Sequence, residues 1–81
     1  MKVDYSYKAT NWLDKAPSQL RKRIMNKMCF YASQDDPLSF TTYIPEKLSY
    51  RFRVGDYRTL CTVENNILKV AKIERRDKAY D

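Results

Sequence analysis

One glycine and three prolines in 81 residues leave little material for long loops. Histidine is absent altogether, and the two cysteines, Cys29 and Cys61, stand alone, neither within a CxxC. That combination argues against a zinc site, and no metal or other cofactor is expected. Two reduced thiols in a cytosolic core are the plainer reading. No stretch approaches the ~18 apolar residues of a membrane span. The opening MKVDYSYK has no apolar signal region, so export is not expected and a cytoplasmic location is.

What the chain does have is charge and a core. Hydrophobic residues make up 43%, enough for one small domain, expected over 1–81, and too many for a disordered chain. The net charge is +6 with a pI near 9.4, which favours an anionic partner such as nucleic acid or an acidic protein segment. Seven tyrosines and three phenylalanines can stack on bases, although in a chain this short most aromatics serve the core.

Val3, Tyr5 and Tyr7 alternate with polar residues and predict a strand over about residues 2–7. Ala9, Trp12, Leu13 and Ala16 then fall on one helical stripe. Pro17 breaks it and suits the start of a second helix, whose stripe is Leu20, Ile24, Met28 and Tyr31, with Arg21, Lys22, Arg23 and Lys27 on or beside its outer side. Residues 34–47 read as irregular, with Pro37 and Pro45 limiting any strand. After Leu48 the pattern turns to strands, SYRFRV, YRTLCTV and ILKVAKI, joined by a Gly-Asp hairpin turn and a weaker Asn-Asn turn. The expected fold is α+β in two layers, order β-α-α-β-β-β: an N-terminal strand and a helical hairpin on one face of a largely antiparallel sheet. The other face must tolerate water or be a working surface.

The stretch YRFRVGDYRTL, residues 50–60, carries the chemistry. With Gly55-Asp56 as a two-residue turn, Val54 opposes Tyr57 and Arg53 opposes Arg58. Tyr50, Phe52 and Val54 then point one way, and Arg51, Arg53 and Arg58 the other. Like charges placed directly opposite destabilise a sheet unless an anion or a carboxylate sits between them. Arginine suits phosphate because its planar fork offers two donors at once. A solvated charged face, neutralised by Asp56, Glu64 or Glu74, is the alternative.

Taken in order, YRFRVGDYRTL, a hydrophobic strand ending at Ile73, and ERRDKAY resemble the C-terminal half of toxins of the RelE/ParE superfamily, and the NWLDK and PSQLRKRI helices fit the front half. The resemblance implies the toxin of a type II toxin–antitoxin system, most closely a RelE-like mRNA interferase. Such a toxin is a ribosome-dependent, metal-independent endoribonuclease that inhibits translation and is held by a cognate antitoxin in a hetero-oligomer. Messenger and ribosomal RNA would be its other partners, with no membrane involved. By position, Arg51, Arg53, Arg58 and Arg76 match the family's phosphate-holding residues, and Tyr80 matches the late Tyr that orients the cleaved nucleotide. The family's Gly-His before the last Arg is Glu74-Arg75 here, where the Glu74 carboxylate can pair with a neighbouring Arg and weaken the phosphate grip. With histidine absent, Tyr80 is the best proton acceptor by position, with Lys47, Lys72 and Lys78 as further candidates. A ParE-like poison of DNA gyrase and an inactive homologue that only binds antitoxin remain open at this point.

Overall fold

Ser6 separates the first two elements and ties them to the rest of the sheet. It ends strand β1, Lys2–Tyr5, and its side-chain oxygen accepts the Ala9 amide at 3.0 Å, capping helix α1, Tyr7–Lys15. The same hydroxyl donates to the Ala71 carbonyl at 2.7 Å. A cap of this kind contributes about 1 kcal/mol. Pro17 stands immediately before helix α2, Ser18–Ala32, where its missing N–H breaks no helical bond.

The computed structural model describes residues 1–75. Beyond α2, these comprise β2 (Thr42–Ile44), β3 (Ser49–Val54), β4 (Tyr57–Glu64) and β5 (Ile67–Arg75), with 3₁₀ turns at Pro37–Phe40 and Pro45–Lys47. The strands form one sheet in the order β1-β5-β4-β3-β2. Pairing is antiparallel throughout except for β1, which runs parallel to β5. The α+β layering expected from the sequence is present. One element was not anticipated: β2 lies within the segment read as irregular. Its prolines fall outside the strand, each opening a 3₁₀ turn, where a fixed φ is favourable. Thr42, Tyr43 and Ile44 are left free to pair with Arg51, Tyr50 and Ser49.

The two central turns follow their residue chemistry. Gly55 alone in its turn has positive φ (58°), and Asn65 and Asn66 both do (52° and 60°), as two-residue hairpins demand. Both helices pack on one face of the sheet. Ala9, Leu13, Ile24, Met28 and Tyr31 meet Phe52, Val54, Cys61, Leu68, Val70 and Ile73, all buried. Each large apolar side chain so buried contributes roughly 1.5–3 kcal/mol. The one fully buried polar side chain among the described residues, Thr59, is satisfied: its hydroxyl donates to the Met28 sulfur and accepts from the Cys61 thiol.

Leu68, Val70 and Ile73 cannot all face the helices at a strict period of two. An irregularity in the β4–β5 ladder resolves this: Leu60 pairs with Lys72 and Cys61 with Val70, so Ala71 is skipped. The bulge re-phases the strand, and Lys72 and Glu74 then face away from the helices.

Candidate functional site

The register of the Gly-Asp hairpin is the one its turn length dictates. Val54 opposes Tyr57, Arg53 opposes Arg58, and Arg51 opposes Leu60. On the far side of β4, Arg58 opposes Glu74 and Leu60 opposes Lys72. Side chains directly opposite share a face, so the uncovered face carries two cross-strand rows. One is Arg53–Arg58–Glu74. The next is Thr42–Arg51–Leu60–Lys72. Leu60 is buried yet stands outside the helix-facing core cluster, flanked in its row by the long stems of Arg51 and Lys72.

Two hydroxyls fix the strand that holds the first two arginines. Tyr31, on α2, donates to the Arg53 carbonyl at 2.8 Å. Thr41, just before β2, donates to the Arg51 carbonyl. Pattern reading of the sequence did not find these supports, because neither hydroxyl lies within the hairpin.

Glu74 is the one carboxylate among the described residues of these two rows, and it binds both neighbours. Its Oε1 lies 3.6 Å from Arg58 Nε, and its Oε2 lies 3.4 Å from Lys72 Nζ. The pairing with a neighbouring arginine that the sequence allows is present at Arg58. The pairing is incomplete, however: Arg58 Nε is buried and makes no hydrogen bond among the described residues, since 3.6 Å is too long for one. Arg51 and Arg53 carry no ion pair among the described residues.

The remaining sequence candidates divide. Arg76, Lys78 and Tyr80 lie outside the described residues. Lys47 sits exposed in the Pro45–Lys47 turn, off both rows. Lys72, which had no positional support in sequence, lies in the second row. Arg75 opposes Tyr57, out of phase with the arginine face. The basic run on α2 is more than a solvated surface. Arg23 lays its guanidinium against Gly55, so close that a Cβ added there meets Nη2 at 2.2 Å. Beside it, Arg23, Asn26, Lys27, Phe30 and Val54 line an open groove of about 500 Å³. Lys27 Nζ sits 5.0 Å from the Phe30 ring centroid.

Two further titratable groups, Tyr5 and Cys61, lie in or against the core. Burial pushes the Tyr5 hydroxyl up to about 12, with Cys29 and Cys61 adding to it, and pushes the Cys61 thiol up to about 11 against its hydrogen bond with Thr59. Neither is a nucleophile at neutral pH. Among the described residues no cluster of three His, Cys, Asp or Glu side chains stands ready to hold a metal, and no helix is long and apolar enough to cross a membrane.

At the level of sequence, no family model and no curated protein matches this chain. Solved structures do. A chain of the toxin–antitoxin complex RelBE2 from Mycobacterium tuberculosis superposes with a TM-score of 0.76, over 93% of this chain and 90% of that one, at 19% identity. The chain has the RelE fold. A second RelE-fold match is the RelB–RelE antitoxin–toxin complex from Methanococcus jannaschii, at TM-score 0.65, 23% identity, and 96% and 95% coverage. On the helix-free face of this RelE fold, the two rows bear four cations, Arg51, Arg53, Arg58 and Lys72, against one carboxylate among their described residues, Glu74, a balance within the rows of 4 − 1 = +3. Chemically, guanidinium groups so arranged can grip a phosphodiester and stabilise added negative charge on it.

Proposed function

We propose that this RelE-fold protein is the toxin of a toxin–antitoxin pair and acts as an endoribonuclease on mRNA in the ribosomal decoding site. The observation that carries the reading is the pair of cross-strand cationic rows on a face that neither described helix covers. Opposed arginines persist in a sheet at a cost that a bound phosphate removes. In the reaction, the ribose 2′-hydroxyl attacks the adjacent 3′-phosphate in line with the departing 5′-oxygen. The crowded phosphate gains charge, and Arg51, Arg53 and Arg58 are positioned to stabilise it. By the family pattern Arg76 adds a fourth guanidinium and Tyr80 orients the nucleotide.

The partner that silences such a toxin has to match its surface. The groove beside Arg23 and Lys27, with Phe30 and Phe40 exposed nearby, suits an acidic segment carrying a few apolar side chains, in keeping with the +6 charge. We assign that segment to the cognate antitoxin.

The test is primer extension on translated mRNA after induction, with the Arg58→Ala variant alongside. Wild type is expected to stop growth and leave cleaved messages. Loss of one transition-state donor slows cleavage about 10²–10³-fold, so the variant is expected to relieve the arrest while binding antitoxin normally. Equal toxicity of the two removes Arg58 from the mechanism. The Glu74 ion pairs favour two rival readings without a nuclease site, in which the same fold either poisons DNA gyrase or only engages antitoxin. Intact messages with broken or relaxed DNA identify the poison, and harmless expression identifies the inactive homologue.

A further inference from the structure

The arginine rows leave one part of that reaction unfilled, the movement of protons. Arginine keeps its proton throughout the accessible pH range, so Arg51, Arg53 and Arg58 hold a phosphate without exchanging protons with it. The sequence contains no histidine to do so. On the two rows, the described residues include one side chain that accepts a proton readily, Glu74, and one cation that releases one, Lys72. They touch each other at 3.4 Å. Both stand on the arginine face because the ladder skips Ala71; at strict alternation with Val70 toward the helices, Ile73 would have to leave the core. Both remain accessible, with side chains 27% and 43% exposed. The second carboxylate oxygen faces Arg58 Nε, which anchors Glu74 within the row that binds phosphate.

We propose that Glu74 and Lys72 are the general base and general acid of the ribonuclease centre, an inference that rests on the nuclease reading above. The incoming phosphodiester parts the two side chains. The Glu74 carboxylate takes the proton of the 2′-hydroxyl as that oxygen bonds to phosphorus. The bond from phosphorus to the 5′-oxygen breaks, its electron pair leaves with the oxygen, and the Lys72 ammonium supplies the proton. The products are a 2′,3′-cyclic phosphate and a 5′-hydroxyl, with Glu74 protonated and Lys72 neutral. When the product departs, the proton passes from Glu74 to Lys72 across their contact, and the ion pair is restored without any co-reactant. Repulsion between Glu74 and the phosphate is offset by the three guanidinium groups around them.

Single-turnover cleavage on programmed ribosomes tests this, using wild type, Glu74→Gln, Lys72→Met and Arg58→Ala. Two mRNAs are compared, one ordinary and one with sulfur in place of the scissile 5′-bridging oxygen. Sulfur leaves without being protonated, so it has no need of the acid. Glu74→Gln is expected to slow both substrates about 10²–10⁴-fold. Lys72→Met is expected to slow the ordinary message by a similar factor and return to within about 10-fold of wild type on the sulfur one. A Glu74→Gln rate equal to or above wild type overturns the proposal and makes this carboxylate a brake on phosphate binding; the nuclease reading then stands on the loss seen with Arg58→Ala. A Lys72→Met defect of the same size on both messages also overturns it. If wild type cleaves neither message, both readings fall together.

Discussion

The two faces of the sheet are built from the same strands and obey opposite rules. Phe52 and Arg53 are neighbours in β3, yet Phe52 is completely buried against the helices while Arg53 is exposed. On the helix side, shape and burial decide the described positions, and fully buried Thr59 has its hydroxyl placed between a thiol and a thioether. On the far side, like charges face one another across β3 and β4, an arrangement that stability alone would remove. The difference teaches that the fold's stability is generated on one face and made available for chemistry on the other.

That contrast can be broken most forcefully at Phe52. Phe52→Ala is expected to destabilise the protein by about 3–5 kcal/mol, a large share of what a domain of this size possesses, read from urea denaturation. Arg53→Ala, one residue away, is expected to stay within about 0.5 kcal/mol of wild type, or slightly above it, since it removes an opposed like charge. A large loss at Arg53 would mean that the open face helps hold the fold.

Tyr5 sharpens the comparison from within the core. Its hydroxyl is buried without a hydrogen-bond partner among the described residues. Tyr5→Phe is therefore expected to stabilise by about 1 kcal/mol. The pH dependence follows from the raised pKa values of Tyr5 and Cys61. Both are acids held neutral by the fold. Their preference for the folded state is complete below their ordinary values of 10.0 and 9.0, and is lost as pH rises toward about 12 and 11. Denaturation midpoints measured upward from pH 8 should fall across that window for wild type, and fall less steeply for Tyr5→Phe.

The smallest effect is expected at the other end of the open face. Glu64 and Lys69 form an ion pair at 3.1 Å, well exposed on both sides. Lys69→Ala should change stability by no more than about 0.5 kcal/mol and leave the charge rows untouched.

Much of this was legible from residue order, and the limits have physical causes. The Gly-Asp turn sets a two-residue loop, and that alone determines that Arg53 faces Arg58 and Arg51 shares their side. The helical stripes were readable because each repeats at helical spacing. Strand β2 escaped notice because it is three residues long and bracketed by prolines, which look prohibitive until they are seen to lie outside it. The parallel pairing of β1 with β5 joins segments from opposite ends of the described chain, and no local pattern encodes it. Lys72 was a candidate without a place because the bulge that re-phases β5 depends on which of Leu68, Val70 and Ile73 the helices demand. Arg76 and Tyr80, both assigned from resemblance, lie beyond the described residues.

The position of β5 has a bearing on how the protein comes into being. It is synthesised after the other four described strands, yet it lies between β1 and β4. A growing chain that has not yet released β5 from the exit tunnel holds its guanidinium groups on a two-sided gap, with no seam to join its first strand to the hairpin. Vectorial synthesis therefore postpones assembly of the charged face until β5 has emerged.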